Sequence, residues 1–228
     1  MKVTALVPVK SFRNAKHRLS PLLDSAQRER LAELMFRDVL SELLRVRGLT
    51  GVAVVTGDDH VAQIAAAAGA TVIRESQENG ETAAVDFARR ELKRRGCEAV
   101  LILPGDMPLL RARDIELLLA EVPTEPAARY ALLVPSHDRL GTNALLLAPP
   151  DVINLRFGYD SFSFHMNQLA AQGLPMRFVE NERIALDIDD PKDLNKFLSY
   201  DCRDGAVRPA VEEMLAAGED KRHRSGSL

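Results

Sequence analysis

Short apolar runs that alternate with helix-periodic stretches constrain this chain more than any other feature. Val3 to Val9, Val52 to Val55, Ala70 to Ile73 and Val100 to Leu103 are too short for buried helices, and a polar loop or turn follows each. Between them, Ser25 to Arg45 puts Leu31, Leu34, Met35, Val39, Leu43 and Leu44 on one stripe, and Val61 to Ala68 and Thr82 to Arg95 also read as helices. Strands that are apolar throughout are buried on both faces, as in a parallel sheet covered by helices. The expected fold is therefore α/β, a three-layer α/β/α arrangement around a mostly parallel, mixed sheet. Arg113 to Ala120 adds a further helix.

The second half is less regular. Pro123 to Pro126 marks the crossing into it. Tyr130 to Val134 and Ala144 to Leu147 read as strands joined by the polar turn His137 to Thr142. A glycine-aromatic loop, Phe157 to Phe162, leads into a helix ending near Ala171. Met176 to Val179 and Ile184 to Ile188 are expected as two more short strands, and Asp190-Pro191 as the start of the last core helix. At 228 residues the chain suits one domain over 1–200, with halves of about 1–122 and 123–200. Residues 201–228 form a C-terminal extension with a short helix from Val211 to Ala217, a disordered end, and basic side chains at Lys221 to Arg224.

Acidic residues outnumber basic ones by 33 to 30, which argues against broad nucleic-acid binding and requires any basic ligand site to be local. The opening MKVTALVPVK has no signal-like apolar core and no later run reaches membrane length, so a cytoplasmic protein with no membrane contact is expected. Cys97 and Cys202 make neither a disulfide framework nor a metal-binding pair, and Cys97 reads as a partly buried thiol.

Open α/β sheets bind ligands beyond the carboxyl ends of their strands. Three polar segments lie at such ends. Lys10, Arg13, Lys16 and Arg18 follow the first strand and suit a polyphosphate, although no P-loop motif is present. Asp106 directly follows the apolar run VLILPG, where a carboxylate can hold Mg²⁺ together with substrate phosphates. Its alternative role, as cap of the next helix, is better filled by Asp114. Alternation along an extended segment puts Asp187 and Asp189 on one side and Ile188 on the other, while Asp190 caps the helix that follows. Two clustered carboxylates repel unless a cation or hydrogen bonds compensate, which points to a metal site. Gly141-Thr142-Asn143 and Gly158-Tyr159-Asp160-Ser161 are candidate acceptor loops, and His165 lies one helical turn beyond Ser161, as a supporting rather than reacting group.

The pieces VPVKSFRNAKHRLSPLL, LILPGDMPLL, GTNALLLAPP, FGYDSFSFH and ALDIDDPKDL, in this order, resemble the 2-phospho-L-lactate guanylyltransferase family and its phosphoenolpyruvate-using and 3-phosphoglycerate-using relatives from Val3 to Leu198. The resemblance implies a glycosyltransferase-A-like nucleotidyltransferase fold, Mg²⁺ as cofactor, GTP as co-substrate, and a small phosphorylated acid as acceptor in the biosynthesis of a deazaflavin coenzyme. It also implies a homodimer. Carried over residue by residue, Lys10, Arg13, Lys16 and Arg18 occupy the nucleotide-phosphate loop, and Asp106, Asp187 and Asp189 hold the metal. Lys16, Arg18 and Asp106 are the catalytic set. Asn79, Gly80, Glu81 and Thr82 form the base and ribose side, where many relatives have a Gly-Leu-Asn-like sequence. Thr142, Asn143, Gly158, Ser161 and His165 surround the acid. The alternatives are another acceptor, such as a pterin cofactor or a sugar phosphate, and a catalytically silent nucleotide-binding protein.

Overall fold

A computed structural model describes residues 1–75, 79–123, 129–175, 177–201 and 205–225, with side chains as far as residue 218. Six strands form one sheet: β1 (Val3–Pro8), β2 (Leu49–Thr56), β3 (Thr71–Arg74), β4 (Ala99–Ile102), β5 (Tyr130–Pro135) and β6 (Thr142–Ala148). The order is β3-β2-β1-β4-β6-β5. Strands β3, β2, β1 and β4 are parallel, and β6 runs antiparallel to both β4 and β5. Among the described residues there are seven α-helices: α1 (Ser25–Arg45), α2 (Asp59–Ala68), α3 (Glu81–Arg94), α4 (Ala112–Ala120), α5 (Ser161–Ala171), α6 (Pro191–Ser199) and α7 (Val207–Ser225).

The two faces of the sheet separate by strand alternation. Ala5, Val7, Val52, Val54 and Leu101 pack with Val39, Leu40, Val61 and Ile115 of α1, α2 and α4. Leu6, Ala53, Val55, Val100 and Ile102 pack on the other side with Val85, Ala88 and Leu169 of α3 and α5. This is the three-layer arrangement that uniformly apolar strands predict. The starts of α1 and α2 have a local cause. Asp24 and Gln27 form a reciprocal capping box for α1, and the Asp58 carboxylate accepts from the amides of His60 and Val61 at the head of α2. Gly80 precedes α3 with a φ of 91°, a conformation that disfavours a side chain.

Sheet order positions the site. The chain winds outward from β1 through β2 to β3, then returns to place β4 on the opposite side of β1, so the loops leaving β1 and β4 diverge from adjacent strand ends. Gly105 lets the second loop lie close to the first, because a Cβ there would meet Val9 Cγ2 at 3.2 Å.

Two expected strands do not form. Ile184 and Ala185 sit in a turn closed by Ala185 N donating to Asn181 O, and the polar groups along 184–188 are taken one at a time: Ile188 N donates to Asp106 O at 3.3 Å, His137 N donates to Ala185 O, and the Asn143 amide takes the carbonyls of Ile184 and Ala185. Residues 177–179 make a single bridge to Leu133 of β5, and Met176 lies outside the described residues. The terminal helix is longer than the one expected over 211–217. Val207, Val211 and Met214 of α7 pack with Leu31 and Met35 of α1 and with Ile188 and Leu194, so the extension completes a third, smaller core. The basic side chains at 221–224, Cys202, residues 124–126 of the crossing and the last three residues lie outside the description. Among the described residues no helix is long and apolar enough to cross a membrane.

Candidate active site

The loops after β1 and β4 and the segment 187–193 enclose a cavity of 730 Å³, bounded on its far side by the turn 136–143 and the loop 157–161. A second hollow of 420 Å³ lies against the first loop and shares Lys10, Gly105, Asp106 and Asp189 with it. The large cavity has room for a nucleotide and a small acid together.

Asp106, Asp187 and Asp189 meet here. The amide of Ile188 hydrogen-bonded to Asp106 O brings the two acidic segments side by side, and Ile188 itself is buried in the third core, so alternation turns both neighbouring carboxylates into the cavity. Lys16 joins them. Its ammonium pairs with Asp106 Oδ2 and lies 2.9 Å from Asp189 Oδ1, held by a left-handed backbone at φ 53°. Burial would push that ammonium's pKa down, but the two carboxylates outweigh it and raise it above the ordinary lysine value. Lys16 thus neutralises part of the cluster rather than standing free for phosphates. Arg18 is largely exposed, 3.8 Å from Asp189 Oδ2.

The far oxygen of Asp106 differs. Oδ1 is buried and, among the described residues, has no hydrogen-bond partner. An anionic oxygen sealed from water and left unpaired is costly, and a hard cation would satisfy it. Asp106 does not cap a helix: at the head of α4 it is Asp114 whose carboxylate accepts from Arg111 N. Among the described residues no three His, Cys, Asp or Glu side chains stand as a ready-made metal ligand set. The donor chemistry of the three carboxylates nevertheless suits Mg²⁺, with Lys16 now lying between two of them.

Burial and the nearby Asp106 charge raise Asp187 to about 6, although Asn143 Nδ2 donates to its Oδ1 at 3.0 Å. A carboxylate whose folded pKa lies above its unfolded value near 4 contributes its full share of stability below that value and loses it as pH rises through about 6. Asp187→Asn is therefore expected to stabilise the free protein by about 1–2 kcal/mol at pH 7.5 and by nothing near pH 4. Melting curves across that range test this. Identical curves for both proteins at pH 7.5 would show that burial and the Asp106 charge do not raise Asp187.

The remaining sequence candidates divide. Lys10 lines both hollows and Arg13 only the smaller one, while Thr142, Gly158 and Ser161 line the large cavity. Asn143 lines it too, but its amide is committed to Ile184 O, Ala185 O and Asp187 Oδ1, so it orients Asp187. Of the stretch 79–82 only Glu81 lines the cavity, its carboxyl raised first by burial and then by Asp106. Thr82 turns instead to the opposite wall and accepts from Phe157 N at 3.0 Å. His165 lines neither hollow and is fully buried behind Thr142. His137 and Lys192, which no sequence motif singles out, also line the cavity, as does Tyr159 of the loop 158–161.

Comparison with known proteins settles the class. Residues 3–203 match the family model described as "Guanylyl transferase CofC like". The chain belongs to that family. A phosphoenolpyruvate guanylyltransferase of Conexibacter woesei is 37% identical over 86% of this chain and 86% of its own length. A 2-phospho-L-lactate guanylyltransferase of Methanothermobacter thermautotrophicus is 33% identical over 88% of this chain and 86% of its own. A crystal structure from Desulfovibrio desulfuricans G20, assigned to the nucleotide-diphospho-sugar transferases, superposes with a TM-score of 0.76 at 18% identity, covering 96% of this chain and 98% of that one. That likeness shows the nucleotidyltransferase fold. As a CofC-like guanylyl transferase the chain is a nucleotide-transferring enzyme, and its cavity lies where this fold's strand order reverses.

Proposed function

We propose that this CofC-like protein transfers GMP from GTP, with Mg²⁺, to the phosphate of a small phosphorylated acid, either phosphoenolpyruvate or 2-phospho-L-lactate, with 3-phospho-D-glycerate the third candidate. The product would be an intermediate in deazaflavin coenzyme biosynthesis. The observation that carries the reading is the buried, unpartnered Asp106 Oδ1, set among Asp187, Asp189 and the cationic loop at the strand-order reversal.

An oxygen of the acceptor phosphate attacks the α-phosphorus of GTP, an O–P bond forms, and the bond from the α-phosphorus to the bridging oxygen breaks to release pyrophosphate. The acceptor oxygen is already anionic, so no side chain has to remove a proton. The protein must hold two anions together in line. Asp106, Asp187 and Asp189 would hold Mg²⁺, which when bound supplies Lewis-acid stabilisation of the phosphoryl oxygens. Lys10 and Arg18, which line the cavity, offset charge on the triphosphate, and Lys16 keeps Asp106 and Asp189 oriented. On the other wall Thr142, Gly158 and Ser161 offer hydroxyl and backbone donors to the acid.

Pyrophosphate release should be measured with Mg²⁺, each of the four NTPs and each of the three acids. Release that requires both GTP and one acid is expected. Folded protein that binds GTP yet releases nothing with any acid would overturn the acceptor class and turn attention to a pterin or sugar phosphate.

A further inference from the structure

His165 is the most deeply buried polar ring behind the acceptor wall, with no exposed surface, and both of its nitrogens are engaged. Nε2 lies 3.3 Å from the backbone amide of Arg156, and Nδ1 lies 3.0 Å from Thr142 Oγ1. A backbone amide can only donate, so Nε2 presents its lone pair. In a neutral imidazole the proton then resides on Nδ1, and Nδ1–H donates to the Thr142 hydroxyl oxygen. That direction decides what Thr142 can do. Its own hydroxyl proton has no acceptor on the histidine, and among the described residues no other group accepts from Oγ1. Thr142 lines the cavity, so the proton is free to point into it.

We propose that His165 is a positioning residue that sets the polarity of the Thr142 hydroxyl, making it a hydrogen-bond donor to the anionic acceptor. The proposal rests on the acceptor-wall assignment made above. A carboxylate or phosphate only accepts hydrogen bonds, and a hydroxyl whose proton was drawn back into the protein would turn lone pairs toward it. The other tautomer would do that. Surroundings keep the ring neutral: burial, then the charges of Arg156 and Arg89, lower its pKa to about 4. Edge contacts from Phe157 at 5.5 Å and Phe164 at 5.8 Å hold the ring plane. The adjacent amide of Phe157 donates to Thr82 Oγ1, so two consecutive amides tether the start of the loop that carries Gly158 and Ser161.

Two measurements test this. Nitrogen-15 NMR of the wild-type protein without substrate reads the His165 tautomer, and the proton is expected on Nδ1. Steady-state kinetics then compare His165→Phe, His165→Asn, Thr142→Val and the double variant that combines His165→Phe with Thr142→Val. His165→Phe is expected to raise KM for the acid about tenfold or more while KM for GTP stays within about twofold. Asn can supply a donor near the Nδ1 position and should recover most of the loss, and the double variant should be no worse than either single one. An Nε2–H tautomer, additive effects, or equal changes in both KM values would overturn the proposal. Inactivity of the wild type with all three acids would instead sink the acceptor reading. The tautomer would still decide the hydroxyl polarity.

Discussion

Replacing Asp106 with Asn is expected to lower acceptor-dependent pyrophosphate release by about a thousandfold or more, since stabilisation of the reacting phosphoryl group by a held metal ion contributes several kcal/mol. The shape of the side chain is retained. What changes is the charge on a carboxylate with one oxygen paired to Lys16 and the other buried without a partner. Lys16 keeps Asp189, and the repulsion among three close carboxylates falls, so the variant should melt within a few degrees of the wild type. Loss of activity without loss of fold separates a functional carboxylate from a structural one. Mn²⁺ titration in the presence of GTP provides a second readout, and weaker cation binding should accompany the lost turnover. A variant that kept more than about a tenth of the wild-type rate would remove Asp106 from the centre of the site.

The largest expected effect on stability lies away from the chemistry. Arg89 on α3 is almost completely buried. Its Nε donates to Asp86 Oδ1 at 2.9 Å, Nη2 pairs with the same oxygen, and Nη1 donates to Pro150 O at 3.0 Å and Ile153 O at 2.8 Å. Asp86 would be raised by burial, but the hydrogen bonds from Arg89 and Arg90 outweigh it and keep the carboxyl below its ordinary value. One guanidinium therefore fastens α3 to the segment following β6, which leads into the cavity loop 157–161. Arg89→Met fills much of the volume but strands two carbonyls and half of the Asp86 partnership. A loss of about 3–5 kcal/mol is expected in urea unfolding, with an unchanged dependence on urea concentration. A loss under about 1 kcal/mol would mean that water replaces the guanidinium at those carbonyls.

Local pattern carried the first half of the molecule. Uniformly apolar runs such as 100–103 predict strands buried on both faces, and each forms, because a strand with no polar side can only sit between two helix layers. Asp190 as a helix cap was equally readable, since a cap needs only the two amides that follow it, here those of Lys192 and Asp193. Residues 184–188, an apolar stretch interrupted by Asp187, were also expected as a strand and are not one. Whether such a segment joins a sheet depends on who takes its hydrogen bonds: Asn143, from a distant part of the chain, takes the carbonyls of Ile184 and Ala185, and Ala185 N turns back to Asn181 O.

The site divides along the same line. Asp106, Asp187, Asp189 and Lys16 were identifiable as polar residues at expected strand ends, and the loops at 142 and 158–161 as glycine-containing turns with hydroxyl groups. The sequence by itself determined which groups would be available at one edge of an α/β sheet, because alternation and strand length are local properties. Only tertiary structure decided how they are used. It paired Lys16 with two carboxylates, left Asp106 Oδ1 unpartnered, turned Thr82 to the opposite wall and moved His165 behind Thr142. Hydrogen-bond partnerships between residues tens of positions apart depend on ångström-scale distances that packing alone fixes, and no spacing along the chain encodes them.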